Sequence, residues 1–189
     1  MSVLDTLAQD HRVLETTLAD LAATPHTERE HRTRLFQHLQ GLLAAHARTE
    51  EEVVYRPLRA KLPDEPKILE AYEEHHIADV LLLELSAECP GGPGWTARVR
   101  VFEEVLRHHI KEEESVLFTL AQDAFAPNVL TRMDQEFRAV KHEGLERALG
   151  PLRRATPAFA GRATVTAQAS AGRYTRRGEL FLRRKLARG

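Results

Sequence analysis

Two stretches of this chain coincide with two later ones under nearly the same shift, and the coincidences include histidines and acids at helical spacing. A shift of 64 lays HRVLETTLADL (11–21) on HHIADVLLLEL (75–85), matching His11 to His75, Glu15 to Asp79, Leu18 to Leu82 and Leu21 to Leu85. A shift of 63 lays HARTEEEVVY (46–55) on HIKEEESVLF (109–118), matching His46 to His109, Glu50 to Glu113 and Tyr55 to Phe118. The two halves therefore read as copies of one helical hairpin.

Breaks at ATPHT (23–27), LPDEP (62–66), CPGGPG (89–94), FAP (125–127) and GP (150–151) mark out five helix-length segments. Thr27 with Glu30 is a candidate capping box for the second, and Asp64 a candidate N-cap for the third. Aromatic residues are 6% of the chain, and Leu, Ala, Arg and Glu dominate it with few β-branched runs. That composition favours an all-α protein.

The apolar stripes of the first four segments follow helical spacing. They run Leu4, Leu7, His11, Leu14, Leu18, Leu21; then Leu35, Leu39, Leu42, His46, Glu50, Val53; then Ile68, Tyr72, His75, Asp79, Leu82, Leu85; then Phe102, Val105, His109, Glu113, Val116, Leu120. Every stripe is interrupted by a histidine. Residues four apart on a helix lie about 40° apart around the axis and about 6 Å along it, so His46 with Glu50, and His109 with Glu113, can face one object. A single histidine on such a stripe is ordinarily a core residue, and acid runs such as TEEE are ordinarily solvated. Two HxxxE pairs in matching context, each preceded by a helix with its own inward histidine, point elsewhere.

Buried carboxylates need a cation, because desolvating one costs several kcal/mol even after relaxation. The nearby arginines Arg12, Arg48 and Arg107 fall on other helix faces. Six donors in pseudo-twofold arrangement suit two metal ions, each taking two histidines while both glutamates bridge. Imidazole and carboxylate without thiolate suit iron, manganese or zinc.

The motifs DHRVLE, HARTEEEVVYRPL, EEHHIADVLLLEL and HHIKEEESVLF, over roughly residues 3–122, together resemble the hemerythrin-like HHE cation-binding family. The resemblance implies an up-down-up-down four-helix bundle holding two iron ions in a non-haem di-iron centre, with manganese or zinc as the alternatives. It carries ligand roles onto His11, His46, Glu50, His75, His109 and Glu113, with His76 and His108 as register alternatives. It also implies a small ligand, namely oxygen, peroxide or nitric oxide, that the centre binds, senses or reduces. Oxygen-carrying members have a further histidine one turn after that of the third helix; here that position is Asp79, which argues against simple oxygen carriage. Glu15, its counterpart, reads as an outer or surface residue. Tyr55, five residues after Glu50, is rotated about 140° from it on an α-helix and is expected to pack elsewhere. Iron storage or delivery without turnover, and a metal-braced adaptor, are the competing functions.

The domain reading is a bundle over 1–125, an additional packing helix over 126–150 and a basic, flexible tail over 151–189. In the helix, Val129, Met133, Phe137, Val140 and Leu145 are available to pack, and His142 and Glu143 read as solvated. The tail has ten Lys/Arg against one acid, Glu179, while the rest of the chain has 17 basic residues against 27 acidic. Low apolar content there argues against an independent core. The tail is open to folding back on the acidic bundle, to nucleic-acid phosphates, or to an anionic membrane through Leu180, Phe181, Leu182 and Leu186, the membrane being the weakest of the three. The lone Cys89 excludes an internal disulfide, and no Ser/His/Asp or Cys/His nucleophile set or Gly-rich phosphate loop competes for an active site. With no signal-peptide pattern and no apolar run near the ~20 residues that span a bilayer, the expected compartment is the cytoplasm.

Overall fold

A computed structural model of the chain describes residues 1–154; apart from the helix backbone at 151–154, the readings placed on the basic tail lie outside the described residues. The elements are α1 (Val3–Ala23), α2 (Arg29–Glu50), α3 (Arg56–Lys61), α4 (Pro66–Ser86), α5 (Pro93–Glu112), α6 (Phe118–Ala124) and α7 (Pro127–Arg154). One π-helical turn, Glu51–Tyr55, joins α2 to α3, and a second, Glu113–Leu117, joins α5 to α6. Residues 29–61 and 93–124 are thus two continuous rods, and with α1 and α4 they form the expected bundle.

Helix starts follow local chemistry, not always at the expected residue. At α1 the Ser2 hydroxyl accepts from the Asp5 amide at 3.3 Å and the Asp5 carboxylate takes the Ser2 amide at 2.8 Å, a reciprocal cap. The Thr27–Glu30 box does not form, since α2 begins after Glu28 without a side-chain cap. At α4, Pro66 occupies the first turn and makes Glu65 the N-cap, its carboxylate accepting from the Lys67 amide at 3.2 Å, so Asp64 lies outside.

α1 packs against α2 and α5, α4 packs against α5, and α7 lies along α1 and α2. Leu130, Met133 and Phe137 bury the inner face of α7, while His142 and Glu143 are exposed. Arg138 donates to both Thr6 (2.7 Å) and Asp134 (3.0 Å), and Thr6 donates to Asp134, which ties α7 to α1. The Gly150–Pro151 pair does not end this helix, whose backbone continues to Arg154. A proline forfeits one helical hydrogen bond, and buried Leu149 holds the turn against α2. Contact there is so close that a Cβ at Gly41 would stand 2.3 Å from Leu149 Cδ2.

The buried side chains form two apolar clusters. One gathers Leu4, Leu7, Val53, Leu58, Ile68, Leu117 and Phe137 among others; the second gathers Leu14, Leu18, Leu39, Leu85, Trp95, Phe102 and Leu106. Between them in sequence, on all four rods, fall the buried polar residues His11, His46, Glu50, His75, His109 and Glu113. A layer of ionisable groups in mid-core defines the site.

Candidate metal centre

All six donors singled out from the sequence meet in that layer. Ligand atoms of His11, His46, Glu50 and Glu113 lie within 4.8 Å of one another, as do those of Glu50, His75 and His109. Glu50 belongs to both groups. Glu113 spans them as well, its Oε2 standing 3.1 Å from His11 Nε2 and 3.8 Å from His109 Nε2. His75 Nε2 and His109 Nε2 are 3.2 Å apart, and His75 Nε2 is 3.3 Å from Glu50 Oε2.

Each imidazole has a carboxylate behind it, and three of the four are held by it. Nδ1 of His11 meets Glu114 at 2.8 Å, Nδ1 of His75 meets Glu51 at 2.8 Å and Nδ1 of His109 meets Glu74 at 2.8 Å. His46 Nδ1 faces Asp10 more loosely, at 3.6 Å, and Asp10 also pairs with Lys141 of α7. A carboxylate on Nδ1 fixes the ring and turns Nε2, with its lone pair, toward the interior, the arrangement that metal-ligating histidines use. None of these four acids lies on an apolar stripe of the sequence. They sit directly before His11 and His75 and directly after Glu50 and Glu113, and they superpose under the same shifts: Asp10 on Glu74, and Glu51 on Glu114. Glu15 lies apart from the donors, paired with Arg12 at 2.8 Å, and Arg12 also reaches Glu114.

The layer is poorly satisfied by protein alone. Both oxygens of Glu50, Glu113 Oε2 and His11 Nε2 are buried without a hydrogen-bond partner, a condition that native interiors rarely tolerate. Burial, then the charge of Glu113, raises the Glu50 carboxyl well above the usual range. Burial also opposes charge on Glu113, but the neighbouring Glu50 carboxyl, which stays protonated, and the proximity of His11 and His109 outweigh it and hold Glu113 ionised. For His11 and His75 burial favours the neutral ring, yet the carboxylates of Glu113 for the first and of Glu50 and Glu51 for the second push the imidazoles up to about 9 and about 10. His46, fully buried, is pushed down to about 4. Protein alone thus gathers protons on some donors to offset the charge of others. Divalent cations would replace those protons, and two ligand atoms about 2.1 Å from one ion at 90–100° stand about 3.0–3.2 Å apart, matching the His75–His109 spacing. The donor set fits metal.

Tyr55 departs from expectation. Its hydroxyl is buried without a hydrogen-bond partner, and burial, then the charges of Glu113 and Glu50, raise its pKa well above the phenol range. The π turn at Glu51–Tyr55 explains the placement, because bonding from i to i+5 widens the turn and brings Tyr55, five residues after Glu50, back toward the face that Glu50 occupies. Tyr55 stacks on His75 (5.5 Å between centroids, 20° between planes), and its repeat partner Phe118 stacks on His11 (6.3 Å, 20°). One half of the site therefore carries a phenol where the other has a plain ring.

A cleft of about 20 Å³, enough for about one water-sized occupant, reaches His46, His75 and His109 between Leu43, Ala78, Leu82 and Leu106. Asp79 is not inward but exposed, lining this cleft; its side chain reaches solvent instead of the core. His76 is half-buried and outside both donor groups, and the His108 side chain is 70% exposed.

Comparison with known proteins follows the same lines. Residues 2–121 match the hemerythrin HHE cation-binding domain family. A solved structure of a hemerythrin HHE cation-binding domain-containing protein from Mycobacterium kansasii superposes with a TM-score of 0.72 over 84% of this chain and 96% of that one, at 24% identity. A DNA nickase from Nostoc sp. is 27% identical over 152 residues, which are 79% of this chain and 42% of that protein. The chain thus spans less than half the length of that relative.

Proposed function

The chain belongs to the hemerythrin HHE cation-binding family, and from that premise we propose that it is a non-haem di-iron protein that binds, senses or reduces oxygen, peroxide or nitric oxide. The observation that carries this reading is the set of six buried donors, two of them carboxylates, with four ligand atoms unpartnered on Glu50, Glu113 and His11. His11, His46, His75 and His109 would hold the ions through Nε2, with Glu50 and Glu113 shared between them. Two iron ions there would supply a ferrous/ferric couple and a coordination position open to a small ligand.

The chain's own groups define what such a ligand meets. Glu51, Glu74 and Glu114 hold the rings of His75, His109 and His11 in orientation from behind, and Asp10 faces His46. Leu43, Ala78, Leu82 and Leu106 line the cleft, whose volume of about 20 Å³ admits a molecule of very few atoms. The Tyr55 hydroxyl, otherwise unpartnered, is available to donate a hydrogen bond or a proton within the site.

The test is optical. Iron-loaded protein should show ferric-pair bands that change on exposure to oxygen, peroxide or nitric oxide, while zinc-loaded protein stays silent. Bands that none of the three moves would refute the reading, and iron that passes to a chelator without such reactivity would favour delivery instead. A second reading, contact with nucleic acid through 151–189, draws support from the ten basic residues there against Glu179 and from the name of the Nostoc relative. Duplex binding by the full chain that weakens steeply with salt would support it; salt-independent or absent binding would remove it.

A further inference from the structure

The two halves of the bundle differ at one place beside the donors. In the first half Asp10, behind His46, has Lys141 of α7 as its cation. In the second half Glu74 takes the place of Asp10, and its Oε2 holds His109 Nδ1 at 2.8 Å. Among the described residues no Lys or Arg pairs with Glu74. Its other oxygen, Oε1, turns outward to His108 Nε2 at 3.7 Å, and Glu112 Oε2 stands 3.7 Å from that same nitrogen.

His108 and Glu112 align by the shift of 63 with Ala45 and Thr49. Alanine has no ligand atom, and the Thr49 hydroxyl is committed to the Ala45 carbonyl at 2.6 Å. The second half thus carries an extra i, i+4 donor pair facing Glu74, where the first half is covered by α7 and its lysine. A separation of 3.7 Å is too long for a hydrogen bond, but it is about the separation of two ligands of one ion held near 2.1–2.2 Å at roughly 120°. All three donor atoms lie within 4.8 Å of one another. Lys67 holds Glu112 by its other oxygen at 2.5 Å, which leaves Oε2 directed at His108.

Exposure sets the character of this group. The side chains of Glu74, His108 and Glu112 are 20%, 70% and 24% exposed, so three protein donors would leave the rest of an ion's coordination to water, as in a labile site. Imidazole with carboxylates suits a borderline or hard divalent ion. Glu74 also lines the cleft that reaches His46, His75 and His109, so one carboxylate touches both the outer group and the route inward.

We propose that Glu74, His108 and Glu112 form a third, exposed cation site, which captures a divalent metal ion from solvent and passes it along the cleft beside Glu74 to the buried donors. This rests on the metal-binding reading of those donors. The test uses metal-free full-length protein, mixed anaerobically with Fe(II) for loading and titrated with Mn(II) for equilibrium binding. It compares wild type with His108→Ala, which leaves the acidic charge unchanged, with His108→Ala/Glu112→Gln, and with Glu104→Gln as a surface-charge control.

Wild type should load at a rate that saturates with Fe(II) concentration and should hold one weak Mn(II) beyond the buried pair. The double variant should load at least tenfold more slowly at low Fe(II), reach the same final two ions per chain and lose the weak Mn(II), while Glu104→Gln behaves as wild type. Loading by the double variant at the wild-type rate, or an equal slowing by Glu104→Gln, would overturn the proposal. If no protein loads the buried donors, that failure belongs to the buried reading and refutes delivery; capture then stands or falls on whether the weak Mn(II) disappears with His108.

Discussion

Replacing Glu50 by Gln should stabilise the metal-free protein and destabilise the metal-loaded one, and the size of the first effect follows from burial. Glu50 is 0% exposed and its oxygens lack hydrogen-bond partners, and its carboxyl is raised well above its ordinary value of 4.5 by burial and then by Glu113. The folded metal-free protein therefore carries a proton that the unfolded chain gives up above pH 4.5. Binding an extra proton in the folded state makes stability fall as pH rises, by about 1.4 kcal/mol per unit, so at pH 7 Glu50 costs up to about 3 kcal/mol. Glutamine, of nearly the same shape, carries no such cost. Urea denaturation of both metal-free proteins should give equal stability near pH 4.5, with an advantage for Glu50→Gln that grows toward pH 7. Metal-loaded, the order should reverse, because Glu50 belongs to both donor groups and a 100-fold loss of affinity for each of two ions removes about 5.4 kcal/mol of ligand stabilisation, more than the roughly 3 kcal/mol gained without metal. A metal-free Glu50→Gln less stable than wild type at pH 7, or a difference that does not change with pH, would refute the reasoning.

Other consequences are more direct. Glu113→Ala should sharply reduce metal content whereas Glu143→Ala, exposed on α7, should not; equal content in both would count against the shared-carboxylate reading. Tyr55→Phe, which makes the two halves alike at this position, should keep the metal but alter the optical spectrum and the rate of reaction with peroxide; unchanged values for both would reduce Tyr55 to packing. Gly41→Ala should destabilise by about 1–3 kcal/mol through overpacking, because its Cβ would meet Leu149, and Leu149→Ala in the same chain should recover part of the loss. No recovery would mean that the clash lies elsewhere.

The repeat made the six donors legible because a histidine or glutamate on an apolar stripe is conspicuous against its neighbours. Tyr55 was hidden by the assumption of uniform helical phase, which the π turn breaks within five residues of Glu50. The orienting acids Asp10, Glu51, Glu74 and Glu114 were hidden for a different reason: acids off the apolar stripe look like solvated surface until the partner rod is in place. Asp79 erred in the other direction, since its alignment with Glu15 preserves position along the helix, while the looser stripe of α4 leaves its side chain exposed. The last helix outran its Gly-Pro signal because docking of Leu149 against α2 depends on tertiary contact that no local rule contains.

The most direct measurement is the metal content per chain of anaerobically purified protein, taken by elemental analysis with an optical spectrum of the same sample. Near two irons per chain with ferric-pair bands after oxidation is the result this account predicts; a folded, helical protein without metal, or with zinc alone after purification from iron-replete cells, would contradict it.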